Sequence, residues 1–151
     1  MPTAPQLMEL AQDISVAGDW PSARSYVVRA LNVKDDPERY ETLRLAGRVL
    51  IFSPYPKDKA FAIKSFSDSY HSLDGRNEIG VGNERATILH DWIPATIVVA
   101  DCADTQLLIG KFAAITNDPT QNPSIMRPMK TDELNLLARF KGCSLNTTAI
   151  Q

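Results

Sequence analysis

The 151-residue sequence is poor in the residues that build metal centres and disulfide frameworks. It has two cysteines, Cys102 and Cys143, and two histidines, His71 and His90, and none of them stands in a spaced ligand motif. A zinc site needs three or four such ligands, and disulfide-stabilised small domains carry several cysteine pairs. We therefore expect two reduced cysteines, no metal, no cofactor and no catalytic residues, which favours a non-enzymatic protein.

Long apolar runs and an excess of one charge are also missing. The longest apolar stretch, residues 93–100, is far shorter than the about 18 residues that a membrane helix needs. The N-terminus lacks the charged and apolar regions of a signal peptide. Sixteen basic and 18 acidic residues leave a formal net charge of −2, without the basic stripe typical of nucleic-acid binders. These absences predict a cytoplasmic protein without a membrane segment, and they disfavour a nucleic-acid partner.

What the sequence does contain is helical periodicity. Leu7, Leu10, Ala11 and Ile14 recur at i, i+3, i+4 and i+7, which is one face of a helix. This first helix, from Gln6, is broken at Gly18. Similar patterns predict a second helix after Trp20, a third over 38–52 and a fourth over 57–73. The expected core of the fourth helix consists of Ala60, Phe61, Ile63, Phe66 and Tyr70.

Residues 7–37 combine these features in a way that resembles one tetratricopeptide (TPR) repeat, a helix–turn–helix unit of about 34 residues. The first helix carries the family's large and small residues as Leu7, Leu10, Ala11 and Ile14. Gly18-Asp19-Trp20 stands at the inter-helix turn, and the second helix continues the pattern with Ala23, Val27, Ala30 and Leu31. Residues 38–73 resemble a second, degenerate unit, which departs from the family in its proline-rich turn at 53–57 and in Ser67, where a small residue such as alanine is usual.

The resemblance implies an all-α fold in which antiparallel helical hairpins stack as a short TPR-like right-handed superhelix. We expect a single helical domain over residues 1–151. Its parts would be a TPR-like region over 6–73, a less regular helical region over 83–116, and a loop with a short C-terminal helix over 117–151.

Proteins similar to TPR arrays hold peptides or helices in a groove lined by the first helix of each unit, and they act as adaptors, chaperones or assembly scaffolds. The resemblance therefore implies a protein or peptide partner. Polar positions that would face such a groove are Gln12, Asp13, Arg44 and Arg48, with Tyr55 as an exposed aromatic anchor. Arg44 and Arg48 are four residues apart and share a helix face, where paired guanidinium groups suit an acidic tail.

The second half of the sequence is less regular. Asn83 is a candidate cap for a helix that Pro94 kinks or restarts, and residues 95–100 (ATIVVA) suit either a strand or a buried helix, of which we favour the helix. Asp104 is a candidate cap for the next helix. Residues 117–128, with three prolines, predict a long loop before a short helix that starts near Thr131.

Two other functions remain open at this point. The first is a structural subunit that associates with copies of itself through exposed apolar faces. The second is a small regulator that contacts DNA through residues 133–150, where Leu137, Gly142 and Leu145 have a spacing faintly similar to a helix-turn-helix motif. A hydrolase or transferase that uses Cys102 as its nucleophile is the weakest alternative, because no family signature surrounds this residue.

Overall fold

A computed structural model describes residues 1–78 and 80–151. Within these ranges the chain is all-α, without strands, as the sequence predicts. The helices are α1 (Ala4–Val16), α2 (Trp20–Leu31), α3 (Arg39–Leu50), α4 (Pro56–His71), α5 (Val81–Val98), α6 (Cys102–Thr116) and α7 (Pro123–Arg139). They form two compact units, Met1–Asp74 and Gly75–Gln151.

The first unit consists of two helical hairpins, α1–α2 and α3–α4, and α1 packs on α3. Between α1 and α2, Gly18 adopts the left-handed conformation with φ +86°, which a residue without Cβ does at little cost. The Asp19 side chain then accepts a hydrogen bond of 3.2 Å from the Ser22 amide and caps α2. The predicted tight bend at residues 18–20 is therefore confirmed, whereas the right-handed superhelix stays a prediction.

Small residues allow the helices of the first unit to approach closely. Ala11, Ala23, Ala46 and Ala62 are fully buried. Gly47 is the most demanding position, because a Cβ built there would lie 2.6 Å from the ring of Phe66. These contacts fix α3 against α4.

The buried face of α1 differs from the prediction. The helix begins at Ala4 rather than Gln6, because Thr3 and Gln6 form a reciprocal capping box in which each side chain bonds the other's backbone amide. The residues on the buried face are Ala4, Leu7, Met8 and Ala11, whereas the predicted core residue Leu10 is 44% exposed. The pattern predicted the helix correctly, but its predicted buried face included Leu10, where the structure has Met8.

The buried face of α4 also corrects the prediction. It consists of Ala62, Ser65, Phe66 and Ser69, whereas Ala60 and Phe61 are exposed. The serines fit this face because backbone carbonyls satisfy their hydroxyl groups. Ser65 donates to the Phe61 carbonyl at 2.9 Å and Ser69 to the Tyr40 carbonyl at 2.5 Å.

In the second unit, α5 packs on α6, and α7 contacts both. The helix predicted for residues 95–100 is confirmed as far as Val98, and Pro94 lies inside α5, but Val98 and Val99 are exposed rather than buried. Two predicted caps are wrong. Gly80 rather than Asn83 precedes α5, and Asp101 caps α6 by accepting a hydrogen bond from the Asp104 amide at 3.0 Å.

The predicted loop over 117–128 is wrong beyond residue 122, because α7 starts at Pro123 and includes Pro128. Asn122 caps α7 by accepting a hydrogen bond from the Ser124 amide at 3.0 Å, and proline suits a first helical position, where its missing donor costs nothing. After α7, residues 140–151 are irregular, with bends and a turn at 148–150. The helix-turn-helix interpretation therefore has no recognition helix in this segment.

The sequence predicted two reduced cysteines, and this prediction is wrong. Cys102 and Cys143 form a disulfide bond. The Cα atoms of Cys102 and Cys143 are 5.7 Å apart, within the usual range for a disulfide. They are 41 positions apart in the sequence, so spacing alone gave no indication that the return of the chain after α7 brings Cys143 to the start of α6.

Two further features concern the described ranges as a whole. None of their helices combines the length and apolar character required to cross a membrane. Within the same ranges, His, Cys, Asp and Glu side chains do not gather into a group that could hold a metal ion.

Candidate functional site

The most prominent candidate site in the first unit is an open groove between α2 and α4, which we call the α2–α4 groove. It consists of two adjoining cavities of about 240 Å³ and 380 Å³. Both are lined by Val28 and Leu31 of α2 and by Phe61 of α4. The groove is therefore a continuous apolar depression rather than two separate pockets.

Two large apolar side chains remain exposed in this groove. Val28 is 56% exposed and Phe61 is 43% exposed. Their helical neighbours Val27 and Ala62 are buried in the core, and one residue further along a helix turns the side chain about 100° away. The packing of α2 and α4 thus directs these two side chains outward, and contiguous exposed apolar surface of this kind marks interaction sites.

One end of the groove is built by a buried carboxylate. The Asp58 side chain, 10% exposed, pairs with Arg24, with 2.9 Å between Asp58 Oδ2 and Arg24 Nε. The same oxygen accepts a hydrogen bond of 2.6 Å from the Ser53 hydroxyl, and Ser53 Oγ in turn accepts one from the Tyr55 amide at 3.1 Å. The guanidinium carbon of Arg24 lies 4.6 Å from the ring centroid of Tyr55, a cation–π distance.

The charged residues that line the groove are mostly cationic. They are Arg24, Arg39, Lys57 and Lys64 against Asp58 and Asp68. Both carboxylates are paired within the unit, Asp58 with Arg24 at 2.9 Å and Asp68 with Lys64 at 2.6 Å. The rim therefore carries a net positive charge, which favours ligands with carboxylates beside an apolar surface.

The structure places only one of the residues predicted to bind a partner at the α2–α4 groove. Tyr55 stands at the end of the α2–α4 groove, stacked on Arg24. Arg44 is only 12% exposed and forms a bidentate pair with Glu41 on its own helix. Arg48 and Asp13 are exposed, and Gln12 is half-buried. These four polar residues do not line the groove, so their role in binding stays a prediction.

None of the residues that line the groove was predicted from the sequence as a site residue, including the four that define it best, Arg24, Val28, Asp58 and Phe61. Phe61 was expected in the core, and the other three carried no motif. For Val28 a usable signal lay in the phasing of α2, because Ala23, Val27 and Ala30 form its buried face and Val28 lies about 100° from Val27 around the helix. Correct phasing of α4 on Ala62 and Phe66 would have exposed Phe61 in the same way.

The second unit contains a buried ion pair between α5 and α7. Glu133 is fully buried, and its Oε2 is hydrogen-bonded to Nδ1 of His90, whose ring stacks on Phe112. Burial raises the pKa of the Glu133 carboxyl, while the hydrogen bond to Glu133 raises the pKa of His90. The pair joins two helices, and because both pKa values are raised, it makes the stability of the fold depend on pH.

Comparisons of the chain with protein-family models, with curated proteins and with solved structures find no match. The TPR resemblance therefore stays a prediction based on residues 7–37 and 38–73. A function has to be argued from the α2–α4 groove itself.

Proposed function

We propose that this protein is a non-enzymatic binding module, an adaptor or chaperone, that holds an amphipathic acidic helix of a partner protein in the α2–α4 groove. The observation that carries the proposal is the outward position of Val28 and Phe61, 56% and 43% exposed, above a shared apolar floor. Exposing two large apolar side chains to water in one depression is unfavourable unless something covers them.

The chemistry of the groove specifies the kind of partner. An amphipathic helix lays apolar residues at i, i+3 or i+4 and i+7 into a hydrophobic groove, and Val28, Leu31 and Phe61 offer the matching surface. Carboxylates on the flank of that helix would meet Lys57 in one of the two adjoining cavities and Arg39 in the other. Tyr55 adds a flat amphipathic ring of the kind enriched at interface hot spots.

The α2–α4 groove is a different binding surface from the one that the TPR resemblance implies. The resemblance predicts a groove along α1 and α3 with Gln12, Asp13, Arg44 and Arg48, and stacking as a right-handed superhelix; both remain part of the hypothesis. A cytoplasmic location also remains a prediction. In a thiol-rich cytoplasm the Cys102–Cys143 disulfide would be exposed to reduction.

The test is selection from a displayed library of random peptides with the full chain as bait. We expect the selected peptides to share apolar residues at helical spacing together with Asp or Glu. For one selected peptide, the Val28→Ser/Phe61→Ser double variant should raise the Kd by at least about tenfold, because each truncated apolar anchor contributes about 1 kcal/mol or more. Lys57→Glu should also weaken binding, and this effect should be larger at low salt than at high salt.

The matched control is Arg48→Glu, which changes an exposed α3 residue outside the groove. If the Arg48→Glu variant loses binding and the Val28/Phe61 variant keeps it, the partner occupies the surface predicted from the repeat resemblance, and our groove proposal is wrong. If the chain instead self-associates in light scattering and the double variant is monomeric, the occupant of the groove is a second copy of the chain.

A further inference from the structure

The last residues of the chain lie along α6 as a strap, which we define as residues 140–151. Cys143 is bonded to Cys102 at the start of α6. Further along, the Gln106 side chain and the Asn146 backbone form a reciprocal pair, with Nε2 to O at 3.0 Å and N to Oε1 at 2.8 Å. At the end of α6, Asn117 Nδ2 donates to the Ala149 carbonyl at 2.6 Å.

The order of the attachments gives the direction of the strap. Residues 143, 146 and 149 of the strap meet residues 102, 106 and 117 in turn, so the strap runs in the same direction as α6. From residue 102 to residue 117 a helix rises about 22 Å at 1.5 Å per residue. The strap ends in a turn, in which the Ile150 amide donates to the Thr147 carbonyl at 3.0 Å. Its three attachments are therefore spaced along α6 rather than concentrated at one point.

The attachments of the strap differ sharply in accessibility. Cys102 is exposed and Cys143 is half-buried, and both polar attachments at Gln106 and Asn117 face solvent. Ile150, next to the end of the strap, is fully buried. Cys102 is thus open to reagents in solution, while the non-covalent contacts of the strap are exposed hydrogen bonds, one fully buried side chain, Ile150, and the half-buried Phe140 and Leu145.

We infer that the Cys102–Cys143 disulfide is a redox-sensitive latch, and that thiol reductants release the strap from α6 while the three helices of the unit stay folded. A thiolate of a dithiol reductant attacks the exposed Cys102 sulfur, and the bond to Cys143 breaks. The Cys143 thiolate leaves and takes up a proton. The second thiolate of the reductant then attacks the mixed disulfide, so that Cys102 leaves as a thiol and the reductant becomes a cyclic disulfide.

Once the disulfide is open, little holds the strap. Exposed hydrogen bonds contribute little net stability, because water replaces them. Ile150, with the half-buried side chains of Phe140 and Leu145, would have to hold a segment whose backbone regains its conformational freedom on release. Release uncovers the apolar site of Ile150 in the second unit. The latch lies in the second unit, whereas the α2–α4 groove belongs to the first.

Hydrogen exchange on the full chain tests the latch, with dithiothreitol as the reductant. We expect reduction to lower the protection of amides 144–151 by at least about tenfold, while protection within α5, α6 and α7 changes less than about threefold. The Cys143→Ser variant should show the released state without any reductant. Ile150→Ala, which keeps the disulfide, should retain most of the strap protection under oxidising conditions.

Two results would overturn the inference. Equal strap protection in the oxidised protein and in Cys143→Ser would mean that the disulfide does not control the strap. A collapse of protection throughout α5–α7 on reduction would mean that the disulfide is a structural staple of the whole unit. Dithiothreitol applied to Cys143→Ser is the control for effects of the reagent itself, and it should change nothing.

Discussion

Asp58 Oδ2 lies 2.9 Å from Arg24 Nε and 2.6 Å from the hydroxyl of Ser53. One carboxylate at the start of α4 thereby connects α2 with the turn between α3 and α4. Because Ser53 is fully buried and the Asp58 side chain is 10% exposed, removal of the acceptor leaves a hydroxyl donor without water nearby. The same carboxylate positions Arg24 over Tyr55 at the end of the α2–α4 groove.

Asp58→Ala should therefore lower the free energy of unfolding by about 1–3 kcal/mol, the cost of leaving a buried polar group unsatisfied. Urea unfolding followed by circular dichroism measures it. The control is Asp68→Ala, which removes the exposed pair with Lys64 and should change stability by no more than about 0.5 kcal/mol. Equal effects of the two substitutions would show that Asp58 is an ordinary surface carboxylate.

Gly47 and Gly110 should respond in opposite directions to substitution by alanine. In Gly47→Ala the new methyl group would lie 2.6 Å from the Phe66 ring, and such overpacking costs about 1–3 kcal/mol. At Gly110 in α6 a Cβ would have nothing within 4 Å, so Gly110→Ala should gain about 0.5–1 kcal/mol from helix propensity alone. Opposite shifts in the unfolding midpoint are the expected outcome. A stabilised Gly47→Ala protein would contradict the close approach of α3 and α4.

The first half of the fold could be predicted from the sequence because its signals are local. Gly18 and Asp19 specify the bend by backbone conformation and capping, and the helix periodicity follows from residues three and four apart. The buried face of α4 could not be predicted in the same way. From the sequence, Ser65 and Ser69 are expected at the surface, because only the structure shows the carbonyl groups that accept their hydrogen bonds. Phe61 is expected in the core because its side chain is large and apolar.

The observed buried face of α4 makes a direct prediction. Phe66→Ala should lower the free energy of unfolding by about 3–5 kcal/mol, as expected for a fully buried ring. Phe61→Ala removes an equally large side chain five positions earlier, yet its ring is 43% exposed, and its cost should stay below about 1.5 kcal/mol. Thermal or urea unfolding of the two variants separates them. Comparable losses of unfolding free energy in the two variants would mean that Phe61 is a core residue, as the sequence pattern predicted.

The candidate sites of the second unit depended on contacts distant in sequence. The disulfide joins residues 41 positions apart, and His90 and Glu133 are 43 positions apart. Glu133 agrees with the rule that charged residues are rarely fully buried unless they are paired, but its partner His90 could not be predicted from the sequence. Leu134, the next residue of α7, is only half-buried, since the α7 face that meets α5 carries the glutamate.

The His90–Glu133 pair predicts that stability decreases as the pH rises. The hydrogen bond to Glu133 raises the pKa of His90, burial raises the pKa of Glu133, and the charges of Asp91 and Asp132 act in the same direction on both. In each case the folded state binds more protons than the unfolded state, so the stabilising contribution is present at low pH and is lost as pH increases. The loss for Glu133 begins near its ordinary pKa of about 4.3, and that for His90 continues above about 6.5.

Glu133→Gln tests this sign. The variant removes one titrating group and the carboxylate that holds the proton on His90, so the stability of the wild-type protein relative to the variant should be larger at pH 5.5 than at pH 8.5, values that lie below and above the ordinary histidine pKa of about 6.5. Nuclear magnetic resonance should also show a lower pKa for His90 in Glu133→Gln than in the wild type. A stability difference that grows with pH, or an unchanged His90 pKa, would mean that the two side chains do not share a proton in solution.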